Sequence, residues 1–236
     1  MAVLAIDTSA AVAVALLDDL GTLLASRRVV EQRRHAELLA PMVEEVLAEA
    51  GLAPQDLGAV VVGTGPAPFT GLRVGLVTGR TLAFALGVPL HGVASLDAVA
   101  SEAADRLDLP PGSSVLVVTD ARRREVYHAR YAVGETGAFG ATAVTTTSGP
   151  DVGAALDVVA AGHAVEAVVV GQGTALYPDA FRDDQVPDDA PTLPDPAVLA
   201  RLALARAATG EVLPSEPLYL RRPDAQVPAG AKRASG

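Results

Sequence analysis

Apolar and polar positions change places in short blocks along the first thirty residues. Val3 to Ile6 is apolar, Thr8-Ser9 interrupts it, and Val12 to Leu17 resumes it. Asp18-Asp19-Leu20-Gly21 then precedes the mixed run Thr22 to Val30. Breaks at this spacing predict three strands joined by tight turns. The period then changes: Leu38, Leu39, Met42, Val43, Val46 and Leu47 recur at helical spacing between His35 and Ala50, with Gly51 as a stop. Pro41 conflicts with a straight helix, since an interior proline costs about 3 kcal/mol, so a kink or a start close to Pro41 is expected.

Ala59 to Val62 is a continuous apolar run, the mark of a strand covered on both faces. Gly63-Thr64-Gly65-Pro66-Ala67-Pro68 turns the chain into a helix starting near Phe69 or Thr70. On that helix Gly71, Gly75, Gly79, Ala83 and Gly87 lie four apart and form a stripe almost free of side chains. Each interior glycine costs about 1 kcal/mol relative to alanine, so the stripe requires a close neighbour, in this chain or in another. Arg73 and Arg80 share a second face and suit either a partner's acids or solvent.

Further on, Val88 to Val93 reads as a short strand, Ser95 as an N-cap, and the helix after it reaches about Asp105. The breaker cluster Asp108 to Ser113 predicts a domain boundary. Val115 to Thr119 is a strand ending at Asp120, and Arg122-Arg123-Arg124 makes a basic turn into an alternating strand from Glu125 to Tyr131. Ala141 to Thr146 predicts a strand, Val152 to Ala161 a short helix, and Ala167 to Val170 a strand ending in Gly171-Gln172-Gly173-Thr174. That ending echoes Gly63-Thr64-Gly65. Residues 182–197 read as a loop, Asp195-Pro196 starts a helix running through Ala208, and Pro214 to Tyr219 is extended. The organisation expected is an N-terminal lobe 1–108, a smaller lobe 109–194, a helix and strand 195–220 packing back on the first lobe, and a disordered tail 221–236.

Composition narrows the chemistry. Half of the 236 residues are hydrophobic but only 3% are aromatic, so the core must be built from small aliphatic side chains. Without cysteine, disulfides, thiolate nucleophiles and sulfur-ligated metals are excluded. A formal charge of -10 argues against unaided nucleic-acid binding. The N-terminus lacks the basic leader of a signal peptide, and no stretch reaches about 18 uninterrupted apolar residues, so a cytoplasmic protein without a membrane span is expected. The four histidines, His35, His91, His128 and His163, are scattered, and neither HExxH nor G-x-S-x-G occurs.

Two features point to ligands. Asp7 with Thr8 and Ser9 at a strand end suits either a magnesium-bound phosphate or an Asx turn. The Thr64-Gly65 turn offers amides at a helix start, although Pro66 and Pro68 remove two donors and the spacing matches neither a P-loop nor a dinucleotide fingerprint. Arg122-Arg123-Arg124 suits phosphate, an acidic partner or plain solvent.

Four segments, VLAIDTS around Asp7, GTGPAPFTGLRVG from Gly63 to Gly75, DARRREVYHARY from Asp120 to Tyr131 and PLYLRRP from Pro217 to Pro223, together resemble the TsaB family of bacterial tRNA threonylcarbamoyladenosine biosynthesis. The resemblance spans nearly the whole chain. It implies an α/β fold of two lobes with mixed central sheets, of the actin, sugar kinase and heat-shock ATPase kind. It implies a noncatalytic scaffold that pairs with TsaD, helps recruit the small ATPase TsaE, forms a homodimer when alone, and contacts tRNA only through TsaD. TsaD binds a metal with a histidine pair; the matching stretch from His91 to Ala98 holds one histidine. No cofactor is required, and nucleotide at the assembled complex, touching Asp7, Thr8, Thr64 and Gly65, is left open. The implied partner interface lies on the two helices carrying His35, Leu38, Leu39, Met42, Gly71, Arg73, Gly75, Gly79 and Arg80. This chain departs from the usual loop, reading Ala67-Pro68 where the family has Gly-Ser, which weakens a nucleotide contact there. The competing enzyme reading is a small sugar- or acetate-kinase-like phosphotransferase using Asp7, Thr8 and the two glycine turns; a peptidase has neither metal pair nor nucleophile to support it.

Overall fold

Two-sided burial of the first strands sets the architecture. A computed structural model describes residues 1–30 and 34–221, and in it β1 (Ala2–Asp7) is buried along its whole length. β1 pairs antiparallel with β2 (Val12–Asp18) and parallel with β4 (Leu57–Gly63); β3 (Leu23–Val29) and β5 (Leu90–Val93) complete a mixed sheet in the order β3-β2-β1-β4-β5. Successive side chains point to opposite faces. Leu4, Ile6, Val14 and Leu16 therefore pack under α1 (His35–Glu49), while Val3, Ala5, Ala15 and Leu17 pack on α6 (Pro196–Ala208). Val60 and Val62 meet α2 (Phe69–Leu86), which Gly87 ends in the left-handed conformation at φ 68°.

The second sheet repeats the order and directions of the first four strands and has no counterpart of β5. β6 (Ser114–Asp120) pairs antiparallel with β7 (Glu125–Thr136) and parallel with β9 (Val168–Val170), and β8 (Thr142–Ala154) closes the order β8-β7-β6-β9. α4 (Ala155–Ala160) connects β8 to β9 as α1 connects β3 to β4, and α5 (Gly173–Leu176) follows β9 as α2 follows β4. The echo between the two glycine turns is thus topological: each follows the strand that runs parallel to its sheet's first strand.

Between the sheets lie two helices in contact, α6 on the first and α3 (Ser95–Arg106) on the second. Leu96, Val99, Ala100 and Ala103 of α3 share a core with Val115, Val117, Ala129 and Tyr131. Two mixed sheets with paired helices between them form the two-lobed actin-like α/β arrangement. The breaker at Asp108 to Ser113 follows α3, which packs both on the second sheet and on α6.

Several local expectations change. α1 starts at His35 and continues through Pro41 to Glu49. Ser95 is the first residue of α3 and gives no cap hydrogen bond. Residues 152–154 extend β8, which leaves α4 only six residues. Residues 211–220 form neither helix nor strand; they strap the first lobe through Gly92 N to Leu213 O at 3.0 Å and Leu218 N to Thr64 O at 2.9 Å. Of the disordered tail expected at 221–236, Arg221 is placed and donates to Ala121 O at 2.8 Å, and residues 222–236 lie outside the described residues. No helix among them is long and apolar enough to cross a membrane.

Candidate functional site

The C-terminal ends of β1 and β6 both carry an aspartate, and a cleft opens between them. It is lined by Thr8, Ser9, His35, Pro66, Pro68 and Ser95 from the first half and by Thr119, Asp120, Arg122 and Gln172 from the second. Its water-accessible volume is about 70 Å³. Sites for drug- or cofactor-sized ligands usually run to about 300–1,000 Å³.

Asp7 stands behind the wall of this cleft, 2% exposed. Its Oδ1 accepts from Ser9 N at 2.9 Å and Ser9 Oγ at 2.6 Å, and its Oδ2 accepts from Ser95 Oγ at 2.6 Å. Burial raises its pKa above the ordinary carboxylate value, against the lowering effect of those hydrogen bonds. Ser95 Oγ in turn accepts from Gly65 N at 3.2 Å, so one hydroxyl ties the first strand, the glycine turn and α3 together. Gly63 must be glycine here: a β-carbon on it would stand 1.9 Å from Asp7 Oδ2. Of the two readings of Asp7, the hydrogen bond from Ser9 N to Oδ1 is that of the Asx turn, and the bond from Ser95 Oγ joins that turn to α3.

Thr8 is committed in the same way. Its hydroxyl donates to Gly71 O at 2.8 Å and accepts from Gly75 N at 3.0 Å. Thr64 and Gly65 do not line the cleft; Thr64 N donates to Val93 O at 2.8 Å and Gly65 O accepts from Ser95 N at 2.8 Å. Of the four residues expected at a nucleotide, only Thr8 reaches the cleft surface. Among the described residues no group of three or more His, Asp or Glu is placed to hold a metal ion.

The residues expected on the partner surface divide. The glycine stripe faces the chain's own first sheet, where β-carbons on Gly75 and Gly79 would stand 2.5 Å from Thr8 Oγ1 and 2.3 Å from Val62 Cγ1. Leu39 and Met42 are buried in the α1 core, and Leu38 is half-buried against it. His35 lines the cleft, its Nε2 3.4 Å from where a β-carbon on Gly71 would be. Arg73 and Arg80 are exposed but hold the strap: Arg73 Nε donates to Tyr219 Oη at 3.1 Å and Arg80 Nη2 to Ser215 O at 2.8 Å. The outward face of α2 instead shows Val77, 60% exposed, and Phe84, 91% exposed. Both were legible as helix positions off the glycine stripe, but only the inward turn of the stripe makes them the surface.

The Arg122-Arg123-Arg124 turn has an uncommon backbone. All three residues have positive φ, 63°, 55° and 64°. Each non-glycine residue in the left-handed region costs about 1–2 kcal/mol. Asp120 stabilises the turn, its Oδ1 accepting from Arg122 N at 2.7 Å and its Oδ2 pairing with Arg122 Nη1 at 3.1 Å. Arg221 of the strap reaches the same corner, pairing with Glu125 and donating to Ala121 O at 2.8 Å.

Comparison with known proteins agrees with this architecture. A family model described as TsaD, tRNA N6-adenosine threonylcarbamoyltransferase, matches residues 29–228. The chain is 41% identical over 227 residues to an uncharacterized protein of Mycobacterium tuberculosis, covering 95% of this chain and 93% of the relative. It is 32% identical to the tRNA threonylcarbamoyladenosine biosynthesis protein TsaB of Escherichia coli, over 94% of this chain and 95% of that one. Among solved structures, a Pseudomonas aeruginosa protein described as similar to the peptidase YeaZ matches with a TM-score of 0.76 and 32% identity, over 93% of this chain and 99% of the other. YeaZ from the same organism matches with a TM-score of 0.72 and 30% identity, over 93% and 100%. The chain belongs to the TsaB family, within the wider group that the threonylcarbamoyltransferase model describes.

Proposed function

We propose that this chain is a noncatalytic subunit of the machinery that places threonylcarbamoyl on N6 of adenosine 37 in tRNAs reading codons that begin with A. It pairs with a TsaD-type transferase and helps recruit the small ATPase TsaE. The observation that carries the noncatalytic part is the commitment of Asp7 and Thr8: three donors occupy the carboxylate, and the hydroxyl is spent on the helix backbone. A phosphotransferase needs such groups available for metal and phosphate. The pairing is assigned to α1 and α2, and on the outward face of α2 Val77 and Phe84 leave an apolar surface. A second copy of this chain uses the same face when the partner is absent.

Co-purification with the TsaD-type partner, followed by transfer to unmodified tRNA, tests the reading. This chain alone is silent, and adding it increases transfer by the partner. Failure of the purified pair to associate, with or without nucleotide and TsaE, overturns it. ATP turnover by this chain with a small substrate would restore the kinase reading.

A further inference from the structure

We propose that the Arg123-Arg124 corner, with Arg221 and Tyr219 beside it, is a direct contact for RNA, taking backbone phosphates and one unpaired base. The proposal rests on the reading of this chain as a tRNA-modification subunit and adds a contact that the TsaB resemblance assigns to TsaD alone. Phe69, Arg122, Arg123, Tyr219 and Arg221 line one recess, which abuts the interlobe cleft at Pro68 and Arg122.

Three observations on this corner converge. Charge is the first. Arg73, Arg122, Arg123, Arg124 and Arg221 gather there against Asp120 and Glu125, in a chain whose formal charge is -10. A net anionic chain repels nucleic acid as a whole, so a local basic corner acts where a partner brings the RNA close. Backbone conformation is the second. The left-handed turn holds three long cations exposed at the end of a hairpin, a disfavoured conformation of the kind that persists where it serves a site. The third is the aromatic stack. Arg73 lies 3.6 Å above the Phe69 ring, whose centroid is 5.0 Å from that of Tyr219, and Tyr219 is 39% exposed. Guanidiniums beside an accessible ring bind phosphate and stack a splayed base, which is how single-stranded RNA is held. An acidic protein surface would use the arginines and leave the ring idle.

The test is a tRNA titration of the co-purified pair at several salt concentrations, comparing wild type with Arg123→Glu/Arg124→Glu and with Arg123→Lys/Arg124→Lys. The glutamate variant should weaken binding at least tenfold and flatten the log-log salt slope by about 1.5, since each phosphate no longer neutralised removes about 0.7–0.9 from it. The lysine variant should keep the slope, which separates charge from damage to the turn. Tyr219→Leu should weaken binding with the slope unchanged. Equal affinity and slope in wild type and glutamate variant, with the pair intact, overturn the proposal. Loss of pairing in the glutamate variant, with RNA affinity of the free chain unchanged, overturns it in favour of an acidic protein. If wild type fails to pair, the functional reading falls, and the same titration of the free chain at low salt with a 4-thiouridine-labelled anticodon stem-loop decides the RNA contact: crosslinks mapping away from residues 122–124 and 219–221, or none, overturn it.

Discussion

The hydroxyl of Thr8 occupies the space that a side chain on Gly75 would need: a β-carbon there would stand 2.5 Å from Thr8 Oγ1, which accepts the Gly75 amide at 3.0 Å. In an exposed helix, Gly→Ala stabilises by about 1 kcal/mol. At this position overpacking, typically about 1–3 kcal/mol, opposes that gain and the bridge to Gly71 is displaced as well. Gly75→Ala should therefore lower the urea midpoint. Combining it with Thr8→Ala should recover part of the loss, a coupling of about 0.5–3 kcal/mol expected for residues in contact. A higher midpoint for Gly75→Ala alone would refute the steric account.

Asp7 gives a pH signature of the opposite sign to a surface salt bridge. Burial holds its folded pKa above the ordinary 3.8. A carboxyl raised in the fold binds its proton more tightly there than in the unfolded chain. Its contribution is full below pH 3.8 and is lost as pH rises through the folded value. Asp7→Asn removes that titration and keeps most of the shape. The stability of wild type minus that of Asp7→Asn should therefore fall as pH rises above 3.8, measured by urea unfolding at each pH. A difference that rises with pH would show that the Ser9 and Ser95 hydrogen bonds outweigh burial.

Much of the element order was legible because it depends on local pattern. Two-sided apolar runs predict β1, β4 and β6, helical spacing predicts α1, and Asp195-Pro196 marks the start of α6, where Asp195 Oδ1 accepts from Ala197 N at 2.7 Å. The site was harder, because its geometry joins residues far apart in the chain. Ser95 reads as a helix cap, yet its hydroxyl bonds a carboxylate 88 residues earlier. The glycine stripe announces a close neighbour without naming it, and the neighbour proves to be β1 and β4. α3 precedes the breaker at Asp108 but packs beyond it, since the apolar residues along α3 do not say which sheet they meet. The resemblance supplied the two-lobed frame; it could not say which interface residues face inward.

Between the lobes, Asp97 of α3 pairs with Arg206 of α6 at 2.8 Å and accepts from Tyr131 Oη at 2.9 Å. Both Asp97 and Arg206 are largely shielded, with side chains 12% and 21% exposed. Burial and the Asp97 charge hold the Tyr131 hydroxyl well above the ordinary tyrosine pKa, so it stays a donor. Arg206→Met should cost about 1–3 kcal/mol by taking the cationic partner away from a shielded carboxylate, and Tyr131→Phe about 1–2 kcal/mol. Calorimetry of both variants and their combination checks this. If Arg206→Met leaves the melting temperature unchanged, the pair does not hold α3 to α6.

Phe84 separates folding from assembly. At 91% exposure its ring contributes little to the fold of the isolated chain, and Val77, seven residues earlier on the same helix, is 60% exposed. A carboxylate at either position faces water in the monomer and is stranded in an apolar contact in a complex. Burying a charge without a partner is strongly unfavourable, whereas exposed substitutions usually change stability by less than about 0.5 kcal/mol. Phe84→Glu should thus leave the melting temperature within about 2 °C of wild type under conditions where the chain is monomeric. The same variant should weaken pairing with the TsaD-type partner, and self-association, at least tenfold by analytical ultracentrifugation. Arg80→Ala is the contrasting case: it loses the bonds to Ser215, so the strap loosens and stability drops. Pairing by Phe84→Glu at wild-type affinity would remove the outward face of α2 from the interface, and the assembly surface would then have to be sought elsewhere on the first lobe.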